Sequence, residues 1–353
     1  DQKNAEESEN DEEQKDADRQ ENTDRKESAE EPEGADQQES AGQQPQPQQA
    51  APAAAAPAAP TSVITLINNF ANKVLNLTLK DVKIDVSNTG RENHAGKAAL
   101  SVQGKGNVEI ELDGENELKS GAYRAGLEKN NSTSAGTLTL KDNKEAGSGS
   151  LNAEGGALSA GIGACYEEGT KNIIITGGTV TATGGDGGAG IGGGDGGGAE
   201  NITITGGTVT ATNKEGGAGI GGGVMGNGED ITITGGTVNA AGGDYAAGIG
   251  GGNSGSGKNI TITGGTVTAK GGVLGAGIGG GVVGSGTNIT ITGGTVTASG
   301  CAGAGIGGGI DGSGSNVTVS GAAQVTATAT DIGPDWSGAA TGATIGGGGS
   351  NTV

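Results

Sequence analysis

Residues 201–229 read NITITGGTVTATNKEGGAGIGGGVMGNGE, and this unit decides the fold because the chain repeats it. Near-copies of its opening begin at Asn172, Asp230, Asn259 and Asn288, in steps of 29 residues, and a worn copy begins 28 residues further on at Asn316. The AGIGGG block keeps the same step, with its isoleucine at Ile191, Ile220, Ile249, Ile278 and Ile306. A fixed period of this size implies a stacked solenoid, in which each unit buries its apolar side only against its neighbours.

Within the unit the apolar residues alternate. Ile202 and Ile204 flank Thr203, Val209 and Ala211 flank Thr210, and Ala218 and Ile220 flank Gly219. Period two with β-branched residues is the strand pattern, and the pairs Gly206-Gly207 and Gly216-Gly217 supply corners. So much glycine forbids a helix in each unit. Each unit therefore reads as three short strands, one coil of an all-β, single-stranded right-handed parallel β-helix with Ile, Val and Ala ladders inside.

Outward from the regular repeats (171–320), the stretch 74–170 carries the same pattern in degenerate form. NVEIEL from Asn107 and GTLTL from Gly136 match the first strand; AGL at Ala125–Leu127 and AGIG at Ala160–Gly163 match the third. Eight or nine coils at about 4.8 Å each imply a rod about 40 Å long. Residues 321–353 read as an irregular last coil. In 61–73, Val63, Leu66, Ile67 and Phe70 fall on one helical face, which suggests a short cap over the core; a plain first strand is the alternative.

Residues 1–60 are a different material, with 17 acidic and 5 basic residues, no aromatic residue and no Ile, Leu or Val. They end in a Pro/Ala/Gln spacer and are expected to be a disordered, self-repelling linker. The whole chain carries a net charge of −21, which argues against nucleic acid or an anionic membrane as partner. No apolar span of membrane length occurs. Opening at Asp1 without Met fits a mature protein after signal removal, or an excised fragment. Cys165 and Cys301 lie five coils apart, roughly 24 Å, beyond disulfide reach.

Several chemistries can be weighed on this scaffold. Sugar-cleaving β-helices need clustered carboxylates, often with Arg or Lys, whereas Asp186, Asp195, Asp244 and Asp311 look scattered over the regular coils. No enzymatic activity is expected. The two arginines after residue 60, Arg91 and Arg124, and the single His94 fall in the irregular coils. Calcium is a possible cofactor at the Gly/Asp-rich segment 184–198, with Asp186 and Asp195 as its ligands, although such bends are usually only bends.

Two surfaces are regular enough to bind something. Thr203, Thr205, Thr232, Thr234, Thr261, Thr263, Thr290 and Thr292 form an outward rank, and a second rank runs through Thr208, Thr210, Thr237, Thr266, Thr268, Thr295 and Thr297, interrupted by Asn239. Such Thr-x-Thr ladders resemble ice-binding faces, and they also suit any solvated strand. The glycines Gly219, Gly221, Gly248, Gly250, Gly277 and Gly279 should point outward as a bare strip. That strip is either covered by the chain's own segments or open to a second rod or a flat polysaccharide. The aromatics Phe70, Tyr123, Tyr166, Tyr245 and Trp336 form no ladder in sequence. The sequons at Asn201, Asn259, Asn288 and Asn316 share one repeat position, as a stacked Asn ladder at a bend would.

VEIELDGENELKSG, GTLTLKD, AGIGGG and NITITGGTVTA, in this order, resemble Gram-positive bacterial surface proteins of the carbohydrate-binding β-helix type, similar in fold to pectate lyases. The resemblance covers roughly residues 74–349. It implies a non-catalytic module, outside the cell or on its surface, that binds polysaccharide or a host or cell-wall glycan, sometimes with calcium, and acts in adhesion. Lateral self-association is a further expectation, a purely structural stalk the main alternative, and an ice binder the second. Because the regular coils are chemically bland, a specific site is expected in the irregular coils between Leu77 and Cys165.

Overall fold

Alternation of β-branched and polar residues leaves each unit one way to bury its apolar half, and in the computed structural model each unit folds as three parallel strands facing a common interior. Residues 62–91, 94–144, 148–330 and 341–350 are described; all belong to one compact unit, Ala56–Val353. The acidic segment 1–60 and Trp336 lie outside them. The coil containing residues 201–229 shows the plan. Its strands are Ala199–Ile204, Thr208–Thr212 and the two-residue Ile220–Gly221. Stacking coil on coil gives sheet I of nine strands, sheet II of nine and sheet III of ten, all pairings between them parallel. The result is a right-handed parallel β-solenoid of about nine turns, without a helix among the described residues.

Residues pair with their equivalents one unit away, as Ile202 with Ile231, Val209 with Val238 and Ile220 with Ile249. The inward columns are therefore ladders of equivalent residues, buried from Ile173 to Ala298, whereas Val317 is only partly buried and Val319 is exposed in the last strand of sheet I. A one-residue slip would turn every Ile and Val outward, so the register is strongly specified. The irregular coils obey the same register: Leu138 pairs with Ile173, and Leu127 with Ile162. Segment 62–73 opens with the strand Ile64–Ile67, which pairs with Leu100–Gln103 as the first strand of sheet III. The helical cap is thus replaced by a plain first strand. Only Leu66 of the four apolar residues turns inward; Val63, Ile67 and Phe70 are exposed.

The expected bare glycine strip is absent. Gly219, Gly221, Gly248, Gly250, Gly277 and Gly279 are all buried. A Cβ on Gly219 would lie 2.6 Å from the Ala241 nitrogen and 2.7 Å from the Gly248 oxygen. Gly221 has φ +139°, a region open only to glycine, and any Cβ there would overlap the Gly250 carbonyl. Each AGIGG segment is a tight neck closed by its own main chain, as where the Ala218 N–H donates to the Gly222 carbonyl at 2.9 Å. These glycines therefore serve packing, and they offer no face to a rod or a glycan.

The loops on either side of the neck close on one another. The N–H groups of Asp195, Val224, Asn253, Val282 and Ile310 donate to the carbonyls of Leu158, Gly187, Gly216, Tyr245 and Leu274, at 2.8–2.9 Å. This seam is a main-chain ladder running along the rod. Sequence did not show it, because it joins loops that are not adjacent in the repeat.

The Asn ladder is present. Asn172, Asn201, Asp230, Asn259, Asn288 and Asn316 all have φ between 54° and 58°, a left-handed kink that Asn and Asp tolerate. Asn201 donates to Asn172 (3.3 Å), Asn259 to Asp230 (3.0 Å), Asn288 to Asn259 (3.1 Å) and Asn316 to Asn288 (3.0 Å). Asp230, as a carboxylate, has no proton to donate to Asn201, so the ladder is broken there. Replacing Asp230→Asn supplies the missing donor and should add about 0.5–1 kcal/mol. The measurement is the urea midpoint at unchanged m-value; a lower midpoint would contradict this account.

Candidate functional site

The irregular coils depart from the repeat at one place above all. Where the next coil reads AGIGA and the regular coils read AGIGG, residues 125–129 read AGLEK. Glu128 pairs with Gly163 in sheet III, so a carboxylate stands in a column that is glycine in every later coil. It is 5% exposed, and its Oε1 accepts a 3.1 Å hydrogen bond from Arg124 Nη1 while Oε2 has no partner. Burial pushes this carboxyl above its ordinary range, and the Arg124 guanidinium partly reverses the shift. Lys129, the next residue, turns into the interior and is fully buried. Its ammonium donates to the Lys171 carbonyl at 2.6 Å and reaches the Ser134 carbonyl at 3.5 Å. With no acid beside it, burial lowers its pKa to about 8, and the Lys171 charge adds to the effect.

Arg124 opens onto a cleft of about 430 Å³ lined by Ala95, Tyr123, Arg124, Leu158, Cys165 and Tyr166. Tyr123 and Tyr166 come from successive coils, and their rings lie 5.4 Å apart, inclined at 45°. Aromatic residues that form no ladder in sequence thus form a pair in space. The Cys165 N–H donates to Asn130 Oδ1 at 2.9 Å, and burial, with the Glu128 charge behind it, pushes the thiol up to about 11. Cys165 is therefore a neutral wall of the cleft and not a nucleophile. It forms no disulfide with Cys301. His94 and Arg91 are exposed and exchange main-chain hydrogen bonds at 2.9–3.0 Å, outside the cleft.

Through Leu158 the cleft adjoins a second groove, of about 200 Å³, lined by Asp186, Gly187, Asp195, Glu215, Val224 and Tyr245 among others. Asp186 and Asp195 are thus brought together, as a calcium pair would require. Among the described residues, however, no three His, Cys, Asp or Glu side chains converge as a metal site. Asp195 is held above the ordinary carboxylate range by burial, and next by the Glu167 charge. Asp186 and Asp244, which look scattered in sequence, occupy one loop column with Glu215 between them.

The repeat plan, with sheet, neck and loop in fixed order, has a known counterpart. Five coils match the family model described as beta helix repeat. The matched residues are 173–195, 202–224, 231–253, 260–282 and 289–310. Each match runs from the sheet I isoleucine to the loop after the beta-helix neck, so the matches take in the second groove except Leu158, while the Glu128 cleft lies N-terminal to all five. No curated protein and no solved structure matches the chain.

The threonine columns of this beta helix are outward-facing, as expected. Thr203, Thr232, Thr261 and Thr290 are paired in register in sheet I. Thr205, Thr234, Thr263 and Thr292 lie one residue past the strand ends, at the corner, so the two columns do not share one flat strand face. Sheet II holds a flatter array, Thr208, Thr210 and Thr212 within one strand, but Asn239, Ala241 and Lys270 interrupt its columns.

Sequence alone missed Glu128, Lys129, Leu158 and Glu215. The first two announce themselves as a charged pair where the next coil has Gly163-Ala164 and the regular coils have two glycines. Leu158 and Glu215 carry no such mark, because the groove is closed by the seam.

Proposed function

We propose that this beta helix is a non-catalytic polysaccharide-binding or adhesion module of the cell surface or extracellular space. The observation that carries the reading is the cleft where Tyr123 and Tyr166 pair beside Arg124. Paired aromatic faces beside a planar donor suit the apolar face and hydroxyl groups of a sugar ring. A structural stalk has no use for exposed rings or for a buried carboxylate with a free oxygen, which tends to be retained for a role other than stability. The cleft suits holding better than cutting: its lining has no carboxylate, and Arg124 is tied to Glu128.

A panel of soluble polysaccharides, titrated by calorimetry against the full chain, tests the reading. At least one should bind, and Tyr166→Ala should weaken it about tenfold without moving the urea midpoint. Binding to none of them would overturn the proposal in favour of the stalk.

A further inference from the structure

Loop 130–135, which leads from the neck strand Leu127–Glu128 into the sheet I strand Leu138–Lys141, is surrounded by lysines that the chain does not pair. Lys129 enters it fully buried, with its ammonium on the carbonyls of Lys171 and Ser134. The bridge between Gly104 and Ser134 sets Lys105 one coil before the loop. The pairing of Leu138 with Ile173 sets Lys171 one coil after it, so the main chains at Lys105 and Lys171 lie about 10 Å apart. None of the three lysines takes part in any of the eight ion pairs among the described residues. Like charges so placed repel, and in a chain of net charge −21 three cations without a carboxylate stand out. Lys129 responds as an ammonium lacking a counter-ion does: burial, and next the Lys171 charge, lower its pKa to about 8.

An open cavity of about 490 Å³ runs along this loop and the two coils before it. Asn69, Gln103, Lys105, Asn131 and the run Ser132–Ser134 line it, and none of its lining residues is Asp or Glu. Ser134 is the odd member. It is 1% exposed, and its Oγ has no hydrogen-bond partner, on the same residue whose carbonyl the Lys129 ammonium reaches at 3.5 Å. Buried hydroxyls are almost always paired, so this one calls for a reason. On the other side of Asn131 the next groove turns acidic, with Glu200 and Glu229 in its lining, which confines the basic stretch to this loop. The cavity shares no lining residue with the tyrosine cleft.

We infer that this cavity is an anion site, separate from the tyrosine cleft, and that it takes a phosphoryl group. Lysine binds phosphate as a point charge. Lys105 meets the anion from the lining, while Lys129 adds its charge from behind Ser134 and Lys171 adds its own from the next coil. The Ser134 hydroxyl, whose hydrogen turns to suit an acceptor, gains the partner that the chain withholds, and Ser132 and Thr133 bring two further donors. A dianion with tetrahedral oxygens answers several cations and donors at once; a flat carboxylate with one charge answers fewer. A chloride ion would leave most of the cavity empty. The volume leaves room for the group that carries the phosphate, so the source is either a phosphate ester or the free ion.

The experiment titrates the full chain by calorimetry with inorganic phosphate, glycerol 3-phosphate and acetate, at neutral pH and an ionic strength held constant with chloride. Phosphate should bind at least about tenfold more tightly than acetate. Lys105→Gln changes an exposed residue outside every strand. It should weaken phosphate by about tenfold or more while leaving the urea midpoint in phosphate-free buffer unchanged. Lys129→Met should weaken phosphate too, although it is expected to be the more stable protein, so its loss of binding is not a loss of fold. Phosphate should raise the urea midpoint of the wild type and not that of Lys105→Gln. Tyr166→Ala should leave phosphate binding as it is, so the two sites stand or fall separately. Tighter binding of the ester assigns the cavity to a phosphorylated molecule and equal binding assigns it to the free ion; both support the site. Acetate binding as tight as phosphate makes the loop a general anion surface and overturns the phosphoryl inference. Phosphate binding unchanged in both lysine variants, or none above the chloride background, overturns the site itself.

Discussion

Gly221→Val should unfold the middle of the rod, lowering stability by about 2–6 kcal/mol. Two costs add. The site has φ +139°, and forcing a β-branched residue there costs about 1–3 kcal/mol. Its Cβ would also overlap the Gly250 carbonyl of the next coil, and overpacking against main chain adds about 1–3 kcal/mol. Because a solenoid is held coil to coil, one failed interface separates the coils before it from those after it. Urea unfolding should lose its single sharp transition, and limited proteolysis should cut between the sheet I strands of successive coils near residue 221. The control is Gly196→Ser. Gly196 also has positive φ, but the nearest atom to an added Cβ is 3.5 Å away, and Ser254 already occupies the equivalent place two coils on. That variant should lose less than about 1 kcal/mol. Equal losses in the two variants would mean that the neck does not hold the coils together.

Lys129→Met should stabilise the protein at neutral pH, and the gain should shrink as pH rises. The folded-state pKa of Lys129, about 8, lies below the value of roughly 10.4 expected when unfolded. Between those values the unfolded chain binds the extra proton, so the lysine's contribution to stability grows with pH and is lost as pH falls through 8. The lost contribution is on the order of 3 kcal/mol at pH 7. Methionine fills the same inward space without a charge, and about 1 kcal/mol is given back where the Lys171 and Ser134 carbonyls lose their donor. A net gain of about 2 kcal/mol at pH 7 is expected. Cys165 acts in the opposite sense. Its pKa is raised to about 11, so its contribution is complete below about 8.5 and disappears as pH rises toward 11. The difference between variant and wild type across pH 7–10 isolates the lysine. A flat difference would show that Lys129 is not desolvated.

Much of this was legible in the residues, for reasons that differ between elements. Ile202, Ile204, Val209 and Ile220 could be placed inward because alternation and repetition both bear on them. The Asn column could be read because a left-handed kink and a stacked amide favour the same residue type. Gly219 and Gly221 were misread: glycine has no side chain to report its surroundings, so facing solvent and facing main chain look alike in sequence. The cap was misplaced because Val63, Leu66, Ile67 and Phe70 fit a helical spacing, while strand pairing with Leu100–Gln103 claimed only Leu66. The cleft was located only as a region. Its tyrosines meet across loops whose contact depends on the seam, and Glu128 gains its meaning from the glycine column beneath it.

The seam carries one more consequence. Its hydrogen bonds use only main-chain atoms, so the side chains at Asp186, Gly187, Asp195 and Tyr245 are not needed to hold it. Every coil offers the same positions at the same height. Duplication or loss of a whole 29-residue unit would therefore lengthen, shorten or reorder the row of loop side chains without disturbing the folding of the coils around it. In such a molecule the surface can drift by recombination between copies, one interchangeable segment at a time, while the interior stays unchanged.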